Sequence, residues 1–366
     1  MNTRMTPCMI ATMCSGSTWL AVSLLIVAPV CRAQTSQSAG AYFDRANNLS
    51  SKGKMSEAIA DYDIAITFDP RCAPAYYNRG SARYANGDLD GGIADLAKAI
   101  EIRPRWADAF YRRGEIRYAK NDFDGALDDF SDAISLKPKW AAAYNNRGIV
   151  WRAKSLLDRA FEDFHKAIQL DPRLVSAYRN LGLLRGQTGD FDGAIADLTK
   201  AIHINPREAG AYGDRCAIWY LYGNRARAIA DCNQSIAINP KVAEVHFKRA
   251  IAHYPEDLDE AIADFTRAIE ISPDLIEAYL YRGDAWLARA DFSKAVADYG
   301  KVIEASPERA VAYGNRGLTL LMQGKPSEAK KDFDRCVQLD PGLKSQLEER
   351  INRIKLLQPV SSVLRQ

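Results

Sequence analysis

Nine prolines stand in phase along this chain. Pro70, Pro104, Pro138, Pro172, Pro206, Pro240, Pro273, Pro307 and Pro341 follow one another at intervals of 34 residues, with a single interval of 33. Such a spacing means that one supersecondary unit is repeated. A unit this short cannot bury its apolar side alone, so the copies must stack on one another. The constraint matters at 366 residues, which is near the upper limit for one hydrophobic core but ordinary for a stacked array.

Counting the proline as position 32 of its unit, the repeats are 39–72, 73–106, 107–140, 141–174, 175–208, 209–242, 243–275, 276–309 and 310–343. Their internal spacing is helical. Position 4 is aromatic in eight units (Tyr42, Tyr76 and Phe110 among them), with His246 the exception. Position 8 is small in all nine, usually glycine: Gly80, Gly114, Gly148. A helical glycine loses about 1 kcal/mol against alanine, so its return at one phase predicts a close helix–helix approach. Position 20 is the matching small site on a second helix (Ala126, Ala160), and position 24 is bulky in most units (Phe130, Phe164, Tyr299). Gly87-Asp88 and Gly189-Asp190 mark the turn between the two helices. The proline stops the second helix.

This pattern resembles the tetratricopeptide repeat family over Ala39–Leu343. The resemblance implies an all-α fold, a right-handed superhelical solenoid of helix pairs whose first helices line a concave groove. One departure is informative. Position 7, usually leucine in that family, is arginine in eight units (Arg45, Arg79, Arg113, Arg147, Arg215, Arg249, Arg282, Arg316), and only Leu181 is apolar. Position 23 is aspartate in all nine, from Asp61 to Asp332. A basic ladder for an acidic ligand is one reading. The matched opposite charges favour the other, an Arg–Asp bridge between helices repeated up the stack.

The ends differ from the array. Arg4, the apolar run Trp19–Val30 and Cys31-Arg32-Ala33 read as a signal peptide over residues 1–33, cleaved after Ala33. The expected location is therefore exported, the periplasm of a Gram-negative bacterium, with a retained membrane anchor as the alternative. A lipoprotein at Cys31 fits less well, because Ala28-Pro29-Val30 is a poor lipobox. Residues 34–38 read as a polar linker. After Pro341, Leu343, Leu347, Ile351, Ile354 and Leu357 fall on one helical face, so 344–357 reads as a capping helix and 358–366 as a loose tail. A docking helix for a partner is the second reading of that segment.

Cys72, Cys216, Cys232 and Cys336 lie outside the signal region, without zinc-ligand spacing. Cys216 and Cys232 fall on the two helices of one repeat. A disulfide is one reading, and a pair of small buried residues is the simpler one. In the seventh unit one residue is missing and Pro255 sits in the turn, which predicts a local kink.

No catalytic constellation, metal site or cofactor motif emerges. His246 and His253 lie seven apart without a third ligand, and His246 occupies an aromatic core position. The net charge of +3 falls to about +1 without Arg4 and Arg32, which argues against nucleic acid as a partner. No cofactor is expected, nor membrane insertion once the signal is removed.

What remains is the groove. The resemblance implies that positions 2, 5, 6, 9, 12 and 13 face it. Tyr77, Tyr84, Tyr111 and Tyr118 then form an aromatic run, extended by Phe43. Asn78, Asn146, Asn180 and Asn315 at position 6 resemble the asparagines that hold peptide backbone in some family members, and an amide both donates and accepts. Arg112 and Arg152 could receive a carboxylate. The family's two-carboxylate clamp is only partly present, so a chaperone tail is not the expected ligand. The expectation is a non-enzymatic, monomeric scaffold that binds an extended peptide or a partner helix. A structural cell-envelope protein that self-associates without a groove ligand is the alternative.

Overall fold

The computed structural model describes residues 37–363. Residues 1–36, which hold the expected signal segment and the start of the expected linker, and the last three residues lie outside the described residues. The described chain is helical throughout and divides after Pro206 into two compact units. The first holds α1 (Gln37–Ser51), α2 (Met55–Phe68), α3 (Ala73–Ala85), α4 (Leu89–Ile102), α5 (Ala107–Ala119), α6 (Phe123–Leu136), α7 (Ala141–Ala153), α8 (Leu157–Leu170), α9 (Val175–Thr188) and α10 (Phe191–Ile204). The second holds α11 (Ala209–Leu221), α12 (Arg225–Ile238), α13 (Ala243–His253), α14 (Leu258–Ile271), α15 (Ile276–Ala288), α16 (Phe292–Ala305), α17 (Ala310–Met322), α18 (Pro326–Leu339) and α19 (Lys344–Val363). Within each unit every odd-numbered repeat helix packs on its successor, which packs in turn on the first helix of the next pair. Two boundaries differ from the sequence reading. Gln37 and Ser38 open α1 instead of lying in a linker, and α19 continues past Leu357 to Val363.

The turns follow from local chemistry. Position 15 has positive φ in eight repeats: Gly53, Gly87, Gly189, Gly223 and Gly324, but also Asn121, Ser155 and Ala290. This left-handed residue reverses the chain after the first helix. The next residue often caps the second helix: Asp122 Oδ1 accepts from Gly125 N at 3.0 Å, and Asp190 Oδ1 from Gly193 N at 2.9 Å. In the seventh repeat α13 stops at His253, two residues short of the usual length of 13, and a cis Tyr254–Pro255 peptide forms the turn.

Position 8 gives the close approach expected of it. A Cβ on Gly148 would stand 2.7 Å from Phe164 Cε1, and one on Gly317 2.6 Å from Phe333 Cε1. The aromatic ring at position 24 thus packs directly against the glycine of the first helix, and Phe130, Phe164, Phe265 and Tyr299 are among the most deeply buried side chains. In the sixth repeat these two positions are Cys216 and Cys232. Both are fully buried, and they are bonded as a disulfide with their Cα atoms 5.4 Å apart.

Each position-7 arginine bonds the position-23 aspartate of its own repeat, and Arg79, Arg147, Arg249 and Arg282 also reach back to the preceding repeat as brackets. Arg147 donates from Nε and Nη2 to Asp163 of its own repeat, both at 2.8 Å, and from Nη1 to Ser131 of the preceding repeat at 3.2 Å. Arg79 bonds Asp95 and reaches back to Asp63; Arg282 bonds Asp298 and reaches back to Thr266. Its guanidinium also covers the ring at position 4, as Arg147 does Tyr144 at 5.5 Å and Arg113 does Phe110 at 5.6 Å. The aspartates are buried: the Asp129 side chain is 1 % exposed and Asp163 7 %. The arginines are therefore tied within the stack, which leaves no basic ladder for an acidic ligand.

The fifth repeat shows what the arginine does. With Leu181 at position 7, Asp197 is held by Arg185 at 2.8 Å, and burial pushes its carboxyl up to about 6. A carboxyl whose folded pKa exceeds its unfolded value of about 3.9 holds its proton more readily in the native state. Native stability therefore falls as pH rises from about 4 to about 6. Leu181→Arg is expected to remove that loss. Urea unfolding at pH 7.5 should find the variant more stable than wild type by about 1 kcal/mol, with the gain shrinking at pH 4. A gain independent of pH would mean that Asp197 is not the group responsible.

Candidate functional site

In the first unit, positions 6, 9 and 12 of α1, α3, α5 and α7 are three residues apart, so they share one helix face. Some of their side chains join successive repeats. Asn78 Nδ2 donates to Asn47 Oδ1 at 2.8 Å, and Tyr62 Oη donates to the same oxygen at 2.6 Å. Asn180 Nδ2 donates to Asn145 Oδ1 at 2.9 Å. Asn146 Nδ2 donates to Tyr111 Oη at 2.8 Å and lies 3.4 Å from Glu115 Oε1. The second unit repeats the device: Asn315 Nδ2 and Tyr299 Oη both donate to Asp284 Oδ1, at 3.1 and 2.6 Å, and Arg350 of α19 donates to Asn315 Oδ1 at 3.2 Å. Burial pushes the Asp284 carboxyl up to about 6. The position-6 asparagines thus direct their amide nitrogens at the preceding repeat, not at a peptide backbone.

The aromatic run separates into two roles. Phe43 is buried against Tyr62, their rings 6.0 Å apart, and belongs to the core. Tyr77 stacks on Trp106 at 4.7 Å and Tyr111 on Trp140 at 4.4 Å, each tryptophan closing the same repeat. Burial raises the pKa of both phenols. Tyr84 and Tyr118, at position 12, instead line a recess of about 660 Å³ formed by α1 to α3 and α5 to α7. Arg112 and Asn146 also line it, whereas Arg152, half-buried at position 12 of the fourth repeat, does not.

The floor of this recess carries a residue that sequence reasoning passed over. Glu115, at position 9 of α5, faces Arg112 one turn away, with Oε2 2.8 Å from Nη1. The two side chains are 14 % and 20 % exposed. Burial raises the Glu115 pKa despite the neighbouring guanidinium. For Arg112 burial acts in the opposite sense, yet Glu115 and Tyr77 hold its pKa above the usual value. Ser81 and Ile149, also at position 9, and Met55 and Phe130 complete the lining. Position 9 was itself among the positions expected to face the groove, so the place of Glu115 in its repeat was the available signal.

Among the described residues no cluster of three or more His, Cys, Asp or Glu side chains could hold a metal ion, and no helix is long and apolar enough to cross a membrane. His246 packs at position 4, with Nε2 3.1 Å from the Pro240 carbonyl oxygen.

These features define a helix-pair repeat protein with a ligand-sized recess on its first helices. Tetratricopeptide repeat profiles match residues 105–174, 310–343 and 73–105, 175–208 and 256–275, and a TPR repeat profile matches 46–87. Together they span more than half of the chain, which belongs to the tetratricopeptide repeat family. The fold is similar to that of a tetratricopeptide repeat protein from Parabacteroides merdae, with 18 % identity, TM-score 0.59, and 68 % of this chain and 99 % of that one covered. It is also similar to the Cut9–Hcn1 hetero-tetramer of the APC/C, with 16 % identity, TM-score 0.58, and coverage of 86 % and 64 %. No curated protein matches the sequence. Proteins of this family are in general scaffolds for protein–protein interaction.

Proposed function

We propose that the protein is a non-catalytic scaffold that binds an extended peptide or a partner helix in the recess of its first four repeats. The observation that carries this reading is the recess itself. Its volume of about 660 Å³ is in the range of ligand sites, and it joins apolar walls to a few convergent polar groups. An exported location is part of the proposal. It is supported by the signal-like N-terminal sequence and by the Cys216–Cys232 disulfide, since such bonds persist in oxidising compartments.

The test is cross-linking capture from the native cell envelope with wild type and with a Tyr84→Ala/Tyr118→Ala variant. These two tyrosines line the recess and are half-buried, Tyr118 against Phe123 with their rings 5.8 Å apart, whereas Tyr77 and Tyr111 stack on tryptophans away from it. The variant should lose about 1–3 kcal/mol of stability, as truncations of half-buried side chains do, yet still unfold cooperatively well above the capture temperature, and lose the partner. Equal capture by both chains would place binding on another face. Capture by neither would favour a self-associating envelope protein, to be checked by the concentration dependence of its mass.

A further inference from the structure

Five buried side-chain polar atoms lack a hydrogen-bond partner among the described residues, and three of them belong to the recess: Ser81 Oγ, Arg112 Nε and Glu115 Oε2. Glu115 Oε2 does face Arg112 Nη1 at 2.8 Å, but outside hydrogen-bond geometry. Leaving a buried donor or acceptor unmet is unfavourable, so such atoms mark where a ligand's polar group completes the site. Here a donor, Nε–H, and an acceptor, Oε2, stand one helical turn apart on α5.

The charges narrow the ligand. Arg112 and Glu115 cancel, so the floor has no net charge. A ligand carboxylate would meet Arg112 but crowd Glu115; an ammonium would meet Glu115 but crowd Arg112. Both would also have to be desolvated against Tyr84, Tyr118, Phe130 and Ile149. A carboxamide or a peptide group is neutral and offers one acceptor and at least one donor. The contrast with the equivalent position of the other unit is instructive. There Asp284 at position 9 receives Tyr299 Oη and Asn315 Nδ2, so its acceptor is used internally. In the third repeat Phe130 occupies position 24 in place of that tyrosine; Glu115 accepts from Asn146 Nδ2 and the Tyr111 phenol, and its Oε2 is left without a hydrogen bond.

We propose that the recess selects a neutral segment of the bound peptide, an aromatic or large apolar residue whose amide group pairs with Arg112 Nε–H and Glu115 Oε2. This deepens the scaffold reading and rests on it. It also sets this site apart from a carboxylate clamp.

Three probes with the same benzyl body test it on the full chain: N-acetyl-phenylalaninamide (neutral), N-acetyl-phenylalanine (anionic) and phenylalaninamide (cationic). Binding is read by ligand-observed saturation-transfer NMR, with Tyr84→Ala as the control that locates the signal. The neutral probe should bind about tenfold tighter than either charged one, a difference of about 1.4 kcal/mol. Glu115→Gln, which leaves Arg112 as the only charge, should shift the preference to the anionic probe. A wild-type chain that takes a charged probe as well as the neutral one, or that gives no Tyr84-dependent signal with the neutral probe, overturns the inference. The capture experiment is independent of this ranking. A partner lost with Tyr84 and Tyr118 alongside a charged-probe preference would sink the amide chemistry and leave the scaffold reading standing.

Discussion

Arg147→Ala is expected to destabilise the first unit by about 3 kcal/mol, the lower end of the range for breaking one side of a buried ion pair. The change removes two bonds to Asp163, one to Ser131 and the cover over the Tyr144 ring. The effect comes mainly from what is left behind: Asp163, 7 % exposed, would keep its charge with no cation in reach or take up a proton. The neighbouring rung supplies the comparison. Arg113→Ala should have a smaller effect, because Arg117 also bonds Asp129, at 2.9 Å, and would remain. In the fourth repeat the residue corresponding to Arg117 is Trp151. Denaturant unfolding of the two variants reads the difference directly. Equal midpoints would mean that the ion pair is not what the arginine contributes. Arg147→Lys should recover only part of the loss, since an ammonium cannot bridge Asp163 and Ser131 with a planar fork.

The bracket explains how far the fold was legible. Periodic features speak through recurrence: the prolines, the small residue at position 8, and the arginine at 7 matched by aspartate at 23. Each occurs often enough that one physical cause must underlie all copies. Gly148 against Phe164 then needs no information beyond the spacing. Side chains that act once are different. Tyr77 and Tyr111 looked like groove aromatics because position 5 faces that way. Their ring partners, Trp106 and Trp140, stand 29 residues further on, and no local spacing reveals the stack. Asn78 meets Asn47 from 31 residues away for the same reason. Glu115 was overlooked because an acidic residue on a charged helix reads as solvated; its burial depends on side chains of neighbouring repeats, such as Asn146, that meet it only in the packed stack. Whether Cys216 and Cys232 bond turned on a distance that only the packed pair supplies.

That disulfide carries the second large prediction. Cys216→Ala/Cys232→Ala should lose about 3 kcal/mol from the second unit, the loop-closure value for a bridge spanning about 15 residues; here the separation is 16. A packing loss adds to it. Phe130 in the third repeat and Phe164 in the fourth fill position 24 against a glycine, whereas the Ala pair would leave that space unfilled. The rescue separates the two contributions. Cys216→Gly/Cys232→Phe rebuilds the Gly148/Phe164 arrangement in the sixth repeat and should regain the packing part without the cross-link. Thermal melts with and without reductant are the measurement. Wild type should lose more stability on reduction than either double variant. The Gly/Phe chain should melt above the Ala/Ala chain. Wild type that melts identically in reductant would show that the bridge is not what holds these two helices together. A Gly/Phe chain no more stable than Ala/Ala would mean that the sixth repeat is shaped around its cysteines and cannot accept the ring that its neighbours use.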